Sequence, residues 1–599
     1  MNDVIRIGNC SGFYGDRLEA ARELIEGGPI DVLTGDYLAE LTMSILYGQK
    51  KARGEHLGYV GTFLKQVEDV ALLCKERGIK IVANAGGLNP KGLAEEIEKV
   101  LARIGVDLKV AYIDGDNLME RFDELEAEGE TFTNLDTGAV LKGNRQSPVT
   151  ANAYLGGWGI KEALDQGADI VICPRVTDAA LVLGPAAWKF NWKRDDFDQL
   201  AGAIAAGHII ECGVQCSGGN YSFLNEVPTF RNMGYPIAEI EADGSFTITK
   251  HGGTGGLISA GTVTAQLLYE ISAPAYLNPD VTTHFDTLTV EETGPDRVRV
   301  TGCKGSNPPP THKVCVNTVG PYKQSFEVLL TGLDIEKKAE IYIDTVLHNL
   351  GGREQFDDVD VQLIRWDKED PQTNEEAHAS LRVTITHHSA DKFGRVFAAK
   401  ITELGLAMPA GNAGKGGGSF NGGQPIIHWP TTVTSRHITE RVHIDDQVIE
   451  VLPTQRLDVA QVVVEPVPAP VVSKVDGPTV RVPLGRVFGI RSGDKGGNAN
   501  IGVWSKTDEG FAWLHDHLTV EEFKRLCPDM ADYPVERFVL PNLKAFNFYI
   551  RGVLGTGGAS NQRIDRLAKS MGEYLGVKKV DVPEAIVPAD ALQAAKAAA

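Results

Sequence analysis

Short apolar runs in the first third of the chain are followed five times by acidic or amide residues. The segments are Gly8-Asn9-Cys10-Ser11-Gly12-Phe13-Tyr14-Gly15-Asp16, Thr34-Gly35-Asp36, Asn84-Ala85-Gly86-Gly87-Leu88-Asn89-Pro90, Asp114-Gly115-Asp116 and Pro174-Arg175-Val176-Thr177-Asp178. A carboxylate placed this way binds a substrate hydroxyl or orients a general base, and Asp16, Asp36 and Asp114 or Asp116 are the candidates. Such carboxylates also suit a divalent metal, although no tight ligand spacing such as His-Glu-x-x-His occurs and no ligand set is assigned. Asn9, Ser11, Gly12, Gly35, Asn84, Gly86 and Gly87 offer amide and hydroxyl groups to a substrate. Arg175 carries a bidentate fork for a carboxylate or phosphate, with Asp178 either its partner or a further contact. Turn formation explains any one of these loops, but five in series favour a common crevice.

His251 stands before Gly252-Gly253-Thr254-Gly255-Gly256. An imidazole titrates near neutral pH and flanking glycines admit substrate closely, so His251 is the leading general acid–base, with a structural histidine as the alternative. Gly252, Gly253, Thr254 and Gly255, like the loop Asn84–Asn89, read as anion nests of backbone N–H groups. Neither is a Gly-x-x-x-x-Gly-Lys-Ser/Thr loop, and no Gly-x-Gly-x-x-Gly follows the first strand, so nucleotide hydrolysis and NAD chemistry find no support. Cys10 is a candidate nucleophile toward an acyl carbonyl, against the plainer reading of a small buried residue. Cys212 and Cys216 lack the second ligand pair that zinc requires. Near the C-terminus Arg491-Ser492-Gly493-Asp494-Lys495-Gly496-Gly497-Asn498 joins two cations to three glycines. Its Arg491, Asp494, Lys495 and Asn498 suit an anionic group or an intersubunit contact, and a hairpin turn with exposed charges is the alternative.

The elements that must position these residues follow from periodicity. Strands are expected at Ile5–Gly8, Asp31–Leu33, Ile79–Ala83, Leu108–Ile113 and Asp169–Cys173, with helices at Arg17–Glu26, Tyr37–Lys51, Phe63–Arg77 and Leu93–Ile104. Alternation of this kind makes βαβ units, hence an α/β fold: a parallel, Rossmann-like sheet with helices on both faces, or a closed βα barrel. Ligands bind at the carboxyl ends of such strands, which is where the five loops fall. Residues 1–280 form this domain. Residues 281–454 read as α+β, 455–481 as an extended Val- and Pro-rich linker, 482–585 as a small ferredoxin-like α+β domain, and 586–599 as a flexible tail. The stretch Pro409–Ser419 is a lid or an unstructured loop.

The chain has 599 residues, enough for several domains, and 66 glycines against a typical ~7%. A net charge of −21 argues against a nucleic-acid partner but leaves room for a local positive pocket. No apolar run of membrane-spanning length occurs, the N-terminus does not read as a signal peptide, and eight scattered cysteines fit a reducing compartment. A cytoplasmic, membrane-free homo-oligomer is the expectation.

The opening Ile5–Asp16, Leu33–Glu40, Asn84–Gly87, Ile210–Gly219 and His251–Gly256 resemble segments of the acyclic terpene utilisation protein A family. Arg491–Asn500 is similar to the loop of the small domain found with it. The resemblance spans nearly the whole chain. It implies catabolism of branched acyl compounds beside acyl-CoA carboxylases and dehydrogenases. The expected function is thus hydration, hydrolysis or lyase-type chemistry on a small branched acyl-CoA, with CoA entering as part of the substrate. A non-catalytic acyl-CoA-binding or assembly protein and a metal-dependent hydrolase of a small acid are the alternatives.

Overall fold

The computed structural model describes residues 4–141, 148–414, 422–454, 475 and 477–598. Its organising element is a mixed sheet built first from β1 (Val4–Asn9), β2 (Val32–Gly35), β3 (Lys80–Ala83), β4 (Val110–Asp114) and, after β5 (Pro148–Ala153) in another sheet, β6 (Ile170–Ile172). The central order is β1-β2-β3-β6-β4, all parallel, with Gly8 opposite Leu33, Leu33 opposite Ile81, Val82 opposite Val171 and Ala111 opposite Val171. This register brings the carboxyl ends of the five strands level, so their polar loops leave the sheet together.

Antiparallel strands extend both sides. β7 (Pro236–Glu241) and β8 (Phe246–Lys250) continue from β1, followed by Arg297–Thr301 and Thr289–Gly294, while Glu440–Ile444 and Gln447–Val451 continue from β4. The sheet therefore ends in two edges, and the closed barrel is excluded.

Successive strand residues enter different cores, as a two-residue period requires. Val32, Val82 and Val171 face one side; Leu33, Ile81, Ile170 and Ile172 face the other. On that second side lie α1 (Ala20–Gly27), α3 (Gly61–Arg77) and α4 (Pro90–Ile104), the last capped by Asn89, which accepts from Gly92 N. Between α1 and α3 the chain forms α2 (Glu40–Arg53). On the first side, after α5 (Phe122–Ala127), lie α6 (Trp158–Asp165), α7 (Ala180–Phe190) and α8 (Phe197–Ile210). Helix α8 is buried along its whole length from Leu200 to Ile210. Gly202 and Gly207 let it pass: a Cβ there would stand 2.0 Å from Gly244 O and 2.7 Å from Ala179 Cα. Two buried carboxylates meet the start of α6, where Asp280 accepts from Gly157 N and Glu440 from Gly159 N.

Contacts divide the chain into two units. One comprises residues up to Asn317, His428–Gly558 and Asp565 onwards; the other comprises Thr318–Ile427 and Ala559–Ile564. These borders differ from those expected at 280 and 454. The chain leaves the first unit within the strand Thr311–Val319 and returns within Ile426–Thr434, so no change of composition marks either border. The second unit is a four-stranded antiparallel sheet with helices Ile335–Asn349 and Arg395–Thr402 and its own core around Leu381, Val383 and Phe397.

The C-terminal segment has a four-stranded antiparallel sheet, in the order Gly489–Lys495, Asn498–Trp504, Ala545–Ile550 and Val535–Leu540, over a core rich in phenylalanine. It nevertheless belongs to the first unit. Fully buried Asn500 donates to Leu268 O (2.7 Å) and accepts from Glu270 N (3.0 Å), while Asn547 donates to Ile271 O and Ser272 O. The flexible tail expected at 586–599 is instead the helix Ala589–Ala598, whose Ala591 and Leu592 pack on that core. Most of the linker (455–474 and 476) and residues 415–419 of the Pro409–Ser419 stretch lie outside the described residues. No helix among the described residues is long and apolar enough to cross a membrane.

The first loop meets the end of α8 through Gly12, where a Cβ would stand 2.6 Å from the Cys212 carbonyl carbon. Gly12→Ala is expected to destabilise the protein by about 1–3 kcal/mol through overpacking, read as a lower midpoint in urea unfolding with an unchanged slope.

Candidate functional site

The strand-end loops enclose a buried group of charges. Asp36, just past β2, accepts from Asn84 Nδ2 (2.6 Å), and Asn84 Oδ1 accepts from Tyr37 N (2.7 Å). Arg175, past β6 and only 2% exposed, donates through Nη1 to Asp178 Oδ1 (2.8 Å) and lies 4.1 Å over the Tyr154 ring. Glu211 ends α8, where Asn9 Nδ2 donates to Ile210 O (2.7 Å) and Glu211 O (2.9 Å). Asp36, Asp178 and Glu211 each offer one oxygen within 4.8 Å of the others. Burial and the proximity of Asp178 push the Asp36 and Glu211 carboxyls well above the carboxylate range.

A second cluster adjoins it. Glu40, the first residue of α2, accepts from Tyr154 OH (2.8 Å) and Lys313 Nζ (3.1 Å), and Lys313 Nζ lies 4.8 Å over the Tyr154 ring. Burial opposes ionisation of Glu40, but Lys313, His428, Arg175 and a backbone hydrogen bond together outweigh it and hold this carboxyl well below its ordinary value. His428, 3.9 Å from Glu40, is pushed down to about 4 by burial and is therefore neutral near pH 7.

The C-terminal segment completes the group. The strands Gly489–Lys495 and Asn498–Trp504 form a hairpin with Lys495 opposite Asn498. Its Lys495 Nζ lies 5.6 Å from the Tyr276 ring and has no hydrogen-bond or ion-pair partner among the described residues. Glu270, Glu40 and Glu211 attract this ammonium, yet burial and the like charge of Lys313 lower its pKa. Burial raises Glu270 to about 7. Lys569 bonds Glu270 (2.9 Å), Asp494 (3.2 Å) and the Tyr269 hydroxyl, and burial pushes it down to about 8. Buried Arg491 lies 4.1 Å over the Tyr269 ring, bonds Gln215, and leaves Nε without a partner. Arg491 and Lys569 line an open cleft of ≈ 170 Å³ together with Tyr221, Ser222, Ser492 and Glu573. A cleft with two cations in its wall suits an anionic group, and the part-buried amine and carboxyl of Lys495 and Glu270 suit proton transfer.

Residues 5–444 match the family described as acyclic terpene utilisation family protein AtuA, and 482–581 match the AtuA ferredoxin-like domain. The chain belongs to this AtuA family. The family is implicated in acyclic terpene utilisation, which supports a catabolic role. No curated protein and no solved structure matches the chain.

Within the family's segments, Asp36, Asn84, Arg175 and Asp178 converge as the strand-end argument requires, and Arg491, Asp494 and Lys495 join them from the ferredoxin-like domain. Other expected site residues are occupied elsewhere. His251 is bound to Leu24 O (2.8 Å) and packs on Gly27 and Gly28 at the end of α1. The loop after it is no anion nest: Gly255 N and Gly256 N donate to Asn232 O and Thr229 O, and Thr254 Oγ1 closes a turn onto His251 O. Gly252 and Gly253 are exposed. In the Asn84–Asn89 loop, Gly86 N donates to Cys173 O, Gly87 N to Asn84 O and Leu88 N to Gly58 O, so its glycine amides are not left for an anion.

In the first loop Asp16 accepts from Gly12 N, Arg17 N and Tyr235 OH. Ser11 Oγ donates to Phe13 O. Gly35 O accepts from Asn84 N. Cys10 is buried and pushed up to about 12, which removes the thiolate a nucleophile needs. Asp114 binds Arg441 and His443, while Asp116 is buried, bonded to Asn152 and raised to about 7. Asn498 donates to Asp136 Oδ1 (2.6 Å) and Gly497 N to Asp136 Oδ2 (2.9 Å); the anion on this turn is the protein's own carboxylate.

Glu40, Glu211, Glu270, Lys313, His428 and Lys569 were not singled out by the sequence reading. Only Glu211 carried a local signal, as a charge ending the eleven-residue run Leu200–Ile210, which is apolar apart from His208.

Asp116, Glu270 and Glu440 are raised by burial to about 7, 7 and 8. Their pKa values are higher in the folded than in the unfolded chain, so between pH 6.5 and 8 the folded state binds more protons and stability falls as pH rises. His208 and His428, both pushed down to about 4, act oppositely but only below about pH 6.5. The melting temperature is expected to drop by several degrees from pH 6.5 to 8. Glu440→Gln should flatten that drop in thermal melts across the same window.

Proposed function

We propose that the protein is an enzyme applying acid–base chemistry to a small branched acyl substrate, carried as a CoA thioester, in acyclic terpene or branched-chain acid degradation. The observation that carries this reading is the unpartnered Lys495 Nζ among carboxyls that burial has moved toward neutral pH. Burial drives both Lys495 and Glu270 toward their uncharged forms, so the amine is set to accept a proton and the carboxyl to deliver one. Such a couple serves hydration, hydrolysis or a lyase step, each of which moves a proton at the acyl group. The cleft beside Arg491 and Lys569 suits the anionic end of the substrate, because two cations in a low-dielectric wall hold a phosphate more strongly than they would in water. The family's role in terpene utilisation supports a branched acyl chain.

The reading is tested by thermal shift with CoA, linear and branched acyl-CoA esters, and the free acids. A rise of several degrees with one branched acyl-CoA is expected, since a ligand that binds only the folded state stabilises it. On that ester Lys495→Met should lower kcat by roughly 10²- to 10⁴-fold while keeping the wild-type melting temperature. Stabilisation by a free acid, with no response to any CoA ester, would overturn the thioester.

A further inference from the structure

We infer that Asp36, Asp178 and Glu211 hold one divalent cation of the hard, oxygen-seeking class to which Mg²⁺ and Mn²⁺ belong. The three carboxylates come from separate elements, past β2, past β6 and at the end of α8, yet each brings an oxygen within 4.8 Å of the other two. That spacing admits one ion, whose ligand distances of about 2.1 Å place opposite oxygens about 4.2 Å apart. An all-oxygen set favours Mg²⁺ or Mn²⁺ over metals that prefer thiolate or imidazole.

Charge supports the same reading. Arg175, bonded to Asp178, is the one cation hydrogen-bonded to any of the three among the described residues, so a divalent ion would supply positive charge that the group otherwise lacks at hydrogen-bonding distance.

A second observation points to a ligand. His208 is 1% exposed, and neither ring nitrogen meets the geometry of a hydrogen bond. Its Nδ1 stands 3.4 Å from Glu211 Oε1, and Glu211 Oε2 is itself buried without a partner. A buried imidazole and a buried carboxylate oxygen left unbonded side by side are each costly. A hydrated cation resolves both, taking the Glu211 oxygen as a ligand and giving the imidazole a partner in its water shell.

The surroundings hold the ligands in place as the partners around a metal do. Asn84 fixes Asp36, Arg175 fixes Asp178, and Asn9 grips the backbone carbonyls of Ile210 and Glu211. This assignment is independent of the thioester proposal, because the ion is detected directly and not through turnover.

The test uses the full chain, stripped with chelator and titrated with Mn²⁺ while electron paramagnetic resonance counts free and bound ion. One Mn²⁺ per chain, displaced by Mg²⁺, is expected. Asp178→Asn and Glu211→Gln should each weaken binding about tenfold or more, whereas Asp357→Asn, in the exposed Asp357–His387–His388 group of the other unit, should leave it unchanged. Glu211→Gln breaks no ion pair with a lysine or arginine among the described residues, so that metal-free variant should melt no lower than metal-free wild type, whereas Asp178→Asn also breaks the pair with buried Arg175 and should melt lower. A measurement on the wild type avoids any folding defect: Fe²⁺ with ascorbate and peroxide should cut the chain near residues 36, 178 and 211. No bound Mn²⁺ at millimolar concentration, binding indifferent to both amide variants, or cleavage elsewhere would overturn the site.

Discussion

Carboxylates gathered at the ends of parallel strands must be compensated, and that requirement ties the first unit together. Asp36 and Glu211 are buried, and Glu40, Asp178, Glu270 and Asp494 are part-buried around them. The loops past the central strands supply one cation, Arg175. The others arrive from distant parts of the chain: Lys313 from the strand Thr311–Val319, and Lys495 and Lys569 from the C-terminal segment. Without them the carboxylates would repel one another in a medium that screens poorly. The ferredoxin-like segment is therefore a wall of the candidate site. Its attachment rests on Asn500 and Asn547, whose amides satisfy the turn at 268–272 and so set Glu270 against the hairpin that carries Lys495.

The glycine-rich loops have a different role from the one their composition suggests. A glycine amide binds an anion only if no carbonyl has taken it. In the loops after β3 and after β8 the amides of Gly86, Gly87, Gly255 and Gly256 are taken by neighbouring carbonyls. What glycine contributes is close approach. Gly12 lies against the Cys212 backbone, Gly86 against Cys173 O, and Gly255 against Arg231 O, each too near for a Cβ. These contacts draw the loops together tightly enough for side chains from four elements to meet.

Burial acts on the acids and bases in opposite senses, and from this the site takes its chemical character. Carboxyls such as Glu270 move up toward neutrality, while Lys569, Lys495 and the imidazoles of His208 and His428 move down. Glu40 moves the other way, held low by Lys313 at hydrogen-bonding distance together with His428, Arg175 and a backbone hydrogen bond. Groups with such displaced affinities gather where proton transfer is wanted.

The sequence alone determined the family, the α/β class, and the strands and helices of the first 114 residues to within a few positions, because apolar periodicity is a local property; α5, β5 and α6, which lie between these and β6, were missed. The strand-end argument also anticipated that Asp36, Asn84, Arg175 and Asp178 lie near one another, since strand ends in a parallel sheet converge whatever the loops contain. It misjudged His251, whose neighbouring glycines look the same whether they face a substrate or, as here, the end of α1. Glu270, Lys313 and Lys569 could be joined to the site only by the tertiary structure, for each lies far along the chain from its partners and in no motif. Side-chain electrostatics depend on distance and burial, and neither is a property of sequence spacing. The second unit's borders were hidden for a related reason: the chain crosses them inside continuous strands, where composition does not change.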